Sequence, residues 1–239
     1  MNTRGAPHWH EYDTLDALNG ALAATLGDCL AQAVAERGRG WAALGGGRTP
    51  LPLYRTLAAM RLPWHAVTLV PTDERCVPHD HPACNHASIA AAFEAAEGAT
   101  LMPLTSRDGD PELSAALAMQ TLEPFHSHAF DAVVLGMGSD AHTASMFPGA
   151  SQLAAALDPA DRLDAIRVDP NPLPAEAPFP RITLTAARLK RSRSLHLVIT
   201  GAGKRDVLER ALASGDPMAH PIAAVLDAPA AQVHLHWSP

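Results

Sequence analysis

Cysteine is scarce in this chain of 239 residues: Cys29, Cys76 and Cys84 are the three, with no close C-x-x-C pair. An odd count at such spacing argues against a disulfide framework and a zinc knuckle. Basic residues are outnumbered, 18 Lys and Arg against 25 Asp and Glu, for a formal net charge of −7. Nucleic acids and anionic membranes are bound by neutralising phosphates with cations, so this balance argues against both as partners. No apolar run reaches the roughly 18 residues of a membrane span. The opening MNTRGAPHWHEYD lacks the apolar centre of a secretory signal. A soluble cytoplasmic protein is expected. Aromatics are also few, at 5%, whereas apolar residues make up 47%, so the core is built from Ala, Leu and Val. No repeat, low-complexity linker or shift in composition marks a boundary, and residues 1–239 read as a single α/β domain.

What is present is an alternation of helix and strand. Leu15, Leu18, Leu22, Leu26, Leu30 and Val34 step by three and four, the stripe of an amphipathic helix. Asp13 or Thr14 can cap it, and Gly38 and Gly40 end it. A short run from Trp41 to Leu44 leads into Gly45-Gly46-Gly47-Arg48-Thr49-Pro50. There Thr49 as N-cap and Pro50 as the first helical residue predict a helix to about Met60. Ala66 to Val70 predicts a strand that empties into Pro71-Thr72-Asp73-Glu74-Arg75. Asn85 can cap an Ala-rich helix to about Ala96, and Asp110-Pro111 opens another to about Phe125. The region holding Pro159, Pro170, Pro172, Pro174, Pro178 and Pro180 reads as a loop with one short strand near Ile166. Arg181 to Leu184 and Leu195 to Thr200 resume strand character, and Gly201-Ala202-Gly203-Lys204 opens a helix to about Ala213. Gln232 to Trp237 alternates apolar and polar residues, as an edge strand does. The pattern predicts a mainly parallel sheet flanked by helices on both faces.

The most informative segment runs from Phe130 to Gly149, FDAVVLGMGSDAHTASMFPG. An apolar β-type run breaks at Gly136-Met137-Gly138 and then delivers Asp140 and His142 two residues apart. Open α/β sheets place their chemistry just there, outside the carboxyl ends of the strands. Four strand-to-helix junctions carry such clusters: GGGRTP, TDER, GMGSDAH and TGAGK. In a parallel sheet they share one edge, so they are expected to converge. Together they hold glycine-loop amides at helix starts, which suit anions, the cations Arg48, Arg75 and Lys204, and the acid-base groups Asp73, Asp140 and His142. That inventory fits a small phosphorylated substrate.

GGGRTP, DERCVPHDHPACNHAS, GMGSDAHTASMFPG, PRITLT and VITGAGK, in this order from Gly45 to Lys204, resemble the 6-phosphogluconolactonase family. The resemblance implies hydrolysis of 6-phosphoglucono-δ-lactone to 6-phosphogluconate, the second step of the oxidative pentose phosphate pathway. It implies a fold like that of glucosamine-6-phosphate deaminase/isomerase, no metal and no organic cofactor, and functional coupling to glucose-6-phosphate dehydrogenase, which makes the lactone. Position by position, His142 matches the family's catalytic base and Asp140 the acid beside it. Gly46, Gly47, Arg48 and Thr49 match the phosphate-side loop, and Arg75 and Lys204 match basic residues of the substrate site. Arg181 falls on the R-I-T motif, whose arginine binds phosphate in the related deaminases. The chain departs from the family pattern at Ala141, usually glycine, at Arg48, often serine, and at Cys84, usually serine. Ala141 matters most, because a left-handed backbone there is costly for alanine.

A δ-lactone needs an activated water, stabilisation of the oxyanion and a proton for the departing ring oxygen. One histidine can do the first and last in turn, with Asp140 or a backbone carbonyl fixing its tautomer. Asp73 and Glu74 read either as an acid-base pair, with Asp73 the catalytic candidate, or as a structural pair holding Arg75. GMGSDA fits a loose dinucleotide pattern, but Pro148-Gly149 stops any helix after it. TGAGK-Arg205 lacks the first glycine and the Ser/Thr of a phosphate-binding P-loop. The pairs His79 and His81, His126 and His128, and His234 and His236 lack a third ligand cluster and are expected to face solvent. Two rival functions stand beside the lactonase. An amino-sugar phosphate deaminase/isomerase would carry an acid shortly after the histidine, and Thr143 to Phe147 has none. A sugar-phosphate sensor of transcription would carry a basic recognition helix, which the acidic N-terminal region lacks.

Overall fold

The computed structural model describes residues 7–160, 162–171, 174 and 177–239. Its centre is a seven-stranded sheet built from β1 (His8–Glu11), β2 (Gly40–Leu44), β3 (Val67–Pro71), β5 (Thr100–Leu101), β6 (Phe130–Leu135), β9 (Ser192–Thr200) and β10 (Gln232–Ser238). Every pairing in it is parallel. The spatial order is β1-β10-β9-β6-β2-β3-β5. A second sheet of three antiparallel strands, β4 (Asp73–Arg75), β8 (Arg181–Leu184) and β7 (Ala165–Val168), lies in the order β4-β8-β7.

Both faces of the large sheet are covered, which is why β2 and β6 are buried at every position. Alternate residues such as Ala42, Leu44, Leu69 and Val134 pack against α1 (Leu15–Arg37), α2 (Leu51–Ala58) and α3 (Asn85–Ala92). Their neighbours Ala43, Val70, Val133 and Leu197 face the other core. That core includes α4 (Pro111–Leu122), α5 (Leu153–Leu157), α6 (Ala186–Lys190), α7 (Ala202–Ser214), α8 (Pro221–Leu226) and the small sheet. The leucine stripe of α1 is buried as its spacing predicts, Thr14 accepts the Ala17 amide, and Gly38 ends the helix.

Several local expectations shift. α2 begins at Leu51 with Pro50 as its N-cap, and no side chain caps it, so Thr49 is not the cap. α3 is capped by the Cys84 thiol, which accepts from the Ala87 amide. The Asn85 side chain is drawn instead to the Asp73 carbonyl, and the helix ends at Ala92. TDER does not open a helix: after Thr72 the chain enters β4, a strand of the small sheet. β10 is not an edge strand, because β1, which the sequence pattern did not suggest, covers its outer side. With β1 in place, His8, His10, His234, His236 and His196 form one stacked array, and His236 is 3% exposed rather than solvent-facing. Pro172 of the proline-rich loop and residues 1–6 of the opening segment lie outside the described residues.

Strand order places the site. From β2 the chain moves outward to β3 and β5, whereas from β6 it moves the opposite way, to β9 and β10. β2 and β6 are neighbours, so the crevice where open α/β sheets bind ligands opens between the loops that follow them. Those loops are GGGRTP and GMGSDAH.

Candidate active site

Residues from all four clusters line one cavity of about 340 Å³: Gly45 to Pro50, Thr72, Asp73 and Arg75, Leu135 to Gly138 with His142, and Lys204. Arg181, Asn85 and Tyr54 join them. The glycine loop is anchored at its root, where Gly45 donates to the Val134 carbonyl at 2.8 Å and accepts from the Tyr54 hydroxyl at 2.7 Å. Gly46 lies so close to Asn85 that a Cβ there would come within 2.1 Å of its side-chain oxygen. Any larger residue would push the loop off its support.

Asp140 Oδ1 stands 2.5 Å from His142 Nδ1 and also accepts the His142 amide at 3.2 Å. Burial alone would raise the Asp140 carboxyl, but the hydrogen bonds and charge of His142 hold it below the ordinary carboxylate range. With Nδ1 engaged, Nε2 is the nitrogen left for chemistry. Gly138 closes in on the same imidazole, since a Cβ there would lie 2.2 Å from Nδ1. Ala141 has φ 64°, the left-handed conformation that glycine adopts freely. It is tolerated in a buried site where its carbonyl accepts the Ile222 amide at 3.1 Å.

Asp73 and Glu74 separate cleanly. The Asp73 carboxylate is buried, accepts the Ser145 hydroxyl at 2.5 Å and the Thr72 hydroxyl at 3.3 Å, and lies 4.0 Å from Arg181. Glu74 is fully buried and collects the amides of Arg75, Asn85 and His86 at 2.7, 2.8 and 2.6 Å. It thereby holds the first two amides of α3, beside the Cys84 cap. Burial raises its carboxyl, and the three amides oppose that rise. Its grip on Arg75 is through the backbone. The guanidinium of Arg75 instead donates to the Ala83 carbonyl at 2.7 Å.

The cations differ in how far they are already engaged. Arg181 is buried and donates to the carbonyls of Ala177 and Phe179 at 2.9 and 3.2 Å. Burial lowers its guanidinium pKa, and Asp73 opposes that. Lys204, in the first turn of α7, and Arg48 have no hydrogen-bond or ion-pair partner among the described residues, and both line the cavity. Partial burial pulls the Lys204 ammonium below its ordinary pKa. An unpartnered, half-desolvated cation beside a glycine loop is a site for an anion. Among the described residues, no three His, Cys, Asp or Glu side chains are grouped to hold a metal ion. No helix there is long and apolar enough to cross a membrane.

The family described as glucosamine-6-phosphate isomerases/6-phosphogluconolactonase matches residues 13–237. This chain belongs to that family. A relative in Rhizobium meliloti (strain 1021), named 6-phosphogluconolactonase, is 38% identical over 233 residues, 96% of this chain and 98% of that protein. Another of that name, from Mesorhizobium japonicum, is 38% identical over 97% of this chain and 95% of its own length. The crystal structure of a 6-phosphogluconolactonase from Shewanella baltica OS155 superposes with a TM-score of 0.91 at 33% identity, over 99% of each chain. Within this family's fold, the sequence motifs had located the cavity and its cations. They did not single out Ser145, Tyr54 or Phe147. Ser145 and Phe147 sit inside the quoted motif, yet only the folded turn shows what they touch.

Proposed function

We propose that this chain hydrolyses 6-phosphoglucono-δ-lactone to 6-phosphogluconate in the oxidative pentose phosphate pathway, with His142 as the base that activates water. The observation that carries the reading is the Asp140–His142 pair at the mouth of a cavity holding two cations without a partner among the described residues. Asp140 accepts from Nδ1–H, leaving the Nε2 lone pair to take a proton from water as it attacks the lactone carbonyl. The same nitrogen then returns the proton to the ring oxygen as the C–O bond breaks. Such help is worth roughly 10²–10⁴-fold. Lys204, Arg48 and the amides of Gly46, Gly47 and Thr49 take the phosphate, and Arg75 adds positive charge where the oxyanion forms. Asp73, held by Ser145 and Thr72, keeps Arg181 and the loop in place instead of moving a proton. Residues 1–239 act as one domain carrying one site, in the cytoplasm, on lactone released by glucose-6-phosphate dehydrogenase.

The amino-sugar rival is disfavoured because residues 143–147 offer no acid to assist ring opening. Purified protein given lactone generated in place from glucose 6-phosphate should hydrolyse it well above the spontaneous rate, and should release no ammonia from glucosamine 6-phosphate. Ammonia release without lactonase activity would overturn the assignment.

A further inference from the structure

The imidazole of His142 is held on three sides. Asp140 fixes Nδ1 and Gly138 crowds the same edge. The third wall is Phe147, whose ring centroid lies 4.3 Å from that of the imidazole at an interplanar angle of 32°. Phe147 is 8% exposed, and the Arg181 guanidinium sits over its ring, 5.4 Å from the centroid. Phe147 lies five positions after His142, and an extended chain would carry the two apart. They meet because the segment folds back on itself. Ala141 and Ala144 take left-handed φ values of 64° and 48°, and Thr143 pairs with Met146 in an isolated bridge. Two non-glycine residues in that conformation within four positions are costly. The turn they build brings an aromatic face against the base.

We infer that Phe147 is a positioning residue for His142, its ring setting the plane in which Nε2 meets the attacking water. This rests on the reading of His142 as the base. Asp140 alone holds that plane only loosely, because its carboxylate can follow Nδ1 as the imidazole turns about Cβ–Cγ. It is also half exposed, at 50% of its side chain, so water competes for it. A flat, buried ring set against the imidazole, its plane tilted 32° from it, restricts that freedom. It also gives the imidazolium formed during the reaction an aromatic face, which attracts cations. Arg181 anchors the Phe147 ring in turn, because its guanidinium is itself fixed by the Ala177 and Phe179 carbonyls.

The test compares Phe147→Leu and Phe147→Met, which keep an apolar side chain but lose the plane, with Phe147→Tyr, which keeps the plane. A displaced base costs turnover steeply, since misplacement of about 1 Å can cost on the order of 10²-fold. Both aliphatic variants should lose about 10- to 100-fold in kcat on 6-phosphoglucono-δ-lactone with KM within about threefold. Phe147→Tyr should keep kcat within about threefold of wild type. Loss of KM and kcat together, unrescued by Phe147→Tyr, would show a loop-packing role and overturn the inference. So would wild-type kcat in either aliphatic variant, and Phe147→Met serves should Phe147→Leu fail to fold. His142→Asn is run beside them. If it keeps activity, the base reading falls. If it is inactive while Phe147→Leu turns over normally, only the positioning role falls.

Discussion

Ser145 Oγ donates to Asp73 Oδ2 at 2.5 Å, joining the loop after β6 to the first residue of β4 across 72 positions of sequence. Both residues are buried, and the Ser145 amide also donates to Thr183 Oγ1 at 3.2 Å. The histidine loop is thereby tied to both β4 and β8. Ser145→Ala leaves a buried carboxylate short of a donor, so unfolding free energy should drop by ~1.5–3 kcal/mol in urea titration. A change below about 0.5 kcal/mol would mean that the contact is not made in solution.

Lys204 should discriminate between lactones. Because Lys204 has no partner to release among the described residues, Lys204→Gln should weaken the phosphorylated substrate by ~1.5–3 kcal/mol in kcat/KM. Unphosphorylated gluconolactone should be hardly affected. Arg48→Ser, at an exposed position, should show the same selectivity more weakly and with stronger dependence on salt. Equal losses on both lactones would remove the phosphate role.

Ala141 gives a near-cancellation. Its left-handed backbone costs ~1–2 kcal/mol for a residue with a Cβ. Ala141→Gly would relieve that strain, but it loses a buried methyl, ~0.8 kcal/mol, and adds chain entropy to the unfolded state, ~0.4–1 kcal/mol. Stability and kcat should therefore both stay close to wild type, with the unfolding free energy moving by less than about 1 kcal/mol. A large gain in kcat would show that the alanine distorts the histidine loop.

The histidine array predicts acid sensitivity. His196 Nδ1 and His236 Nε2 are 3.1 Å apart, Tyr12 Oη bonds His236 Nδ1 at 3.2 Å, and His10 Nε2 meets His234 Nδ1 at 3.0 Å. Burial first, and neighbouring imidazoles second, push His196 down to about 3 and His236 down to about 2. The unfolded chain, with histidine near ~6.5, binds these protons first. Their contribution is therefore whole above about pH 6.5 and is lost as pH falls from there toward 3. Each group adds a slope of up to ~1.4 kcal/mol per pH unit. His196→Asn, which keeps a partner for His236 but cannot titrate, should flatten the urea midpoint between pH 6.5 and 4. An unchanged slope would mean that the array does not titrate with unfolding.

Much of this was legible in the sequence because the signals are local. Apolar runs ending in glycine clusters mark parallel strands and their loops, and the leucine steps of α1 need no tertiary information. What was missed depends on partners far along the chain. β4 has only three residues, and its strand state comes from pairing with β8, over a hundred residues on. Without that strand, TDER resembled a helix start. His8 to Glu11 is a weak apolar pattern that becomes a strand only against β10. Without it, QVHLHW had to look like an edge and its histidines like surface groups. At α3 the sequence offered Asn85 as the cap, but the approach of Gly46 and the Asp73 carbonyl claim that side chain, leaving the role to Cys84. Within the site, Asp140 and His142 were plain from their spacing. The Phe147 contact was not, since it needs two left-handed alanines to close the turn.

The role of His142 as the base underlies the proposed reaction. Its most direct test is the turnover of His142→Asn on freshly generated 6-phosphoglucono-δ-lactone, corrected for spontaneous hydrolysis, with binding of 6-phosphogluconate measured on the same protein. A fall in kcat of at least ~10²-fold is expected, with product affinity nearly unchanged. A variant that keeps more than about a third of wild-type kcat, well short of the loss expected of a general base, would contradict it.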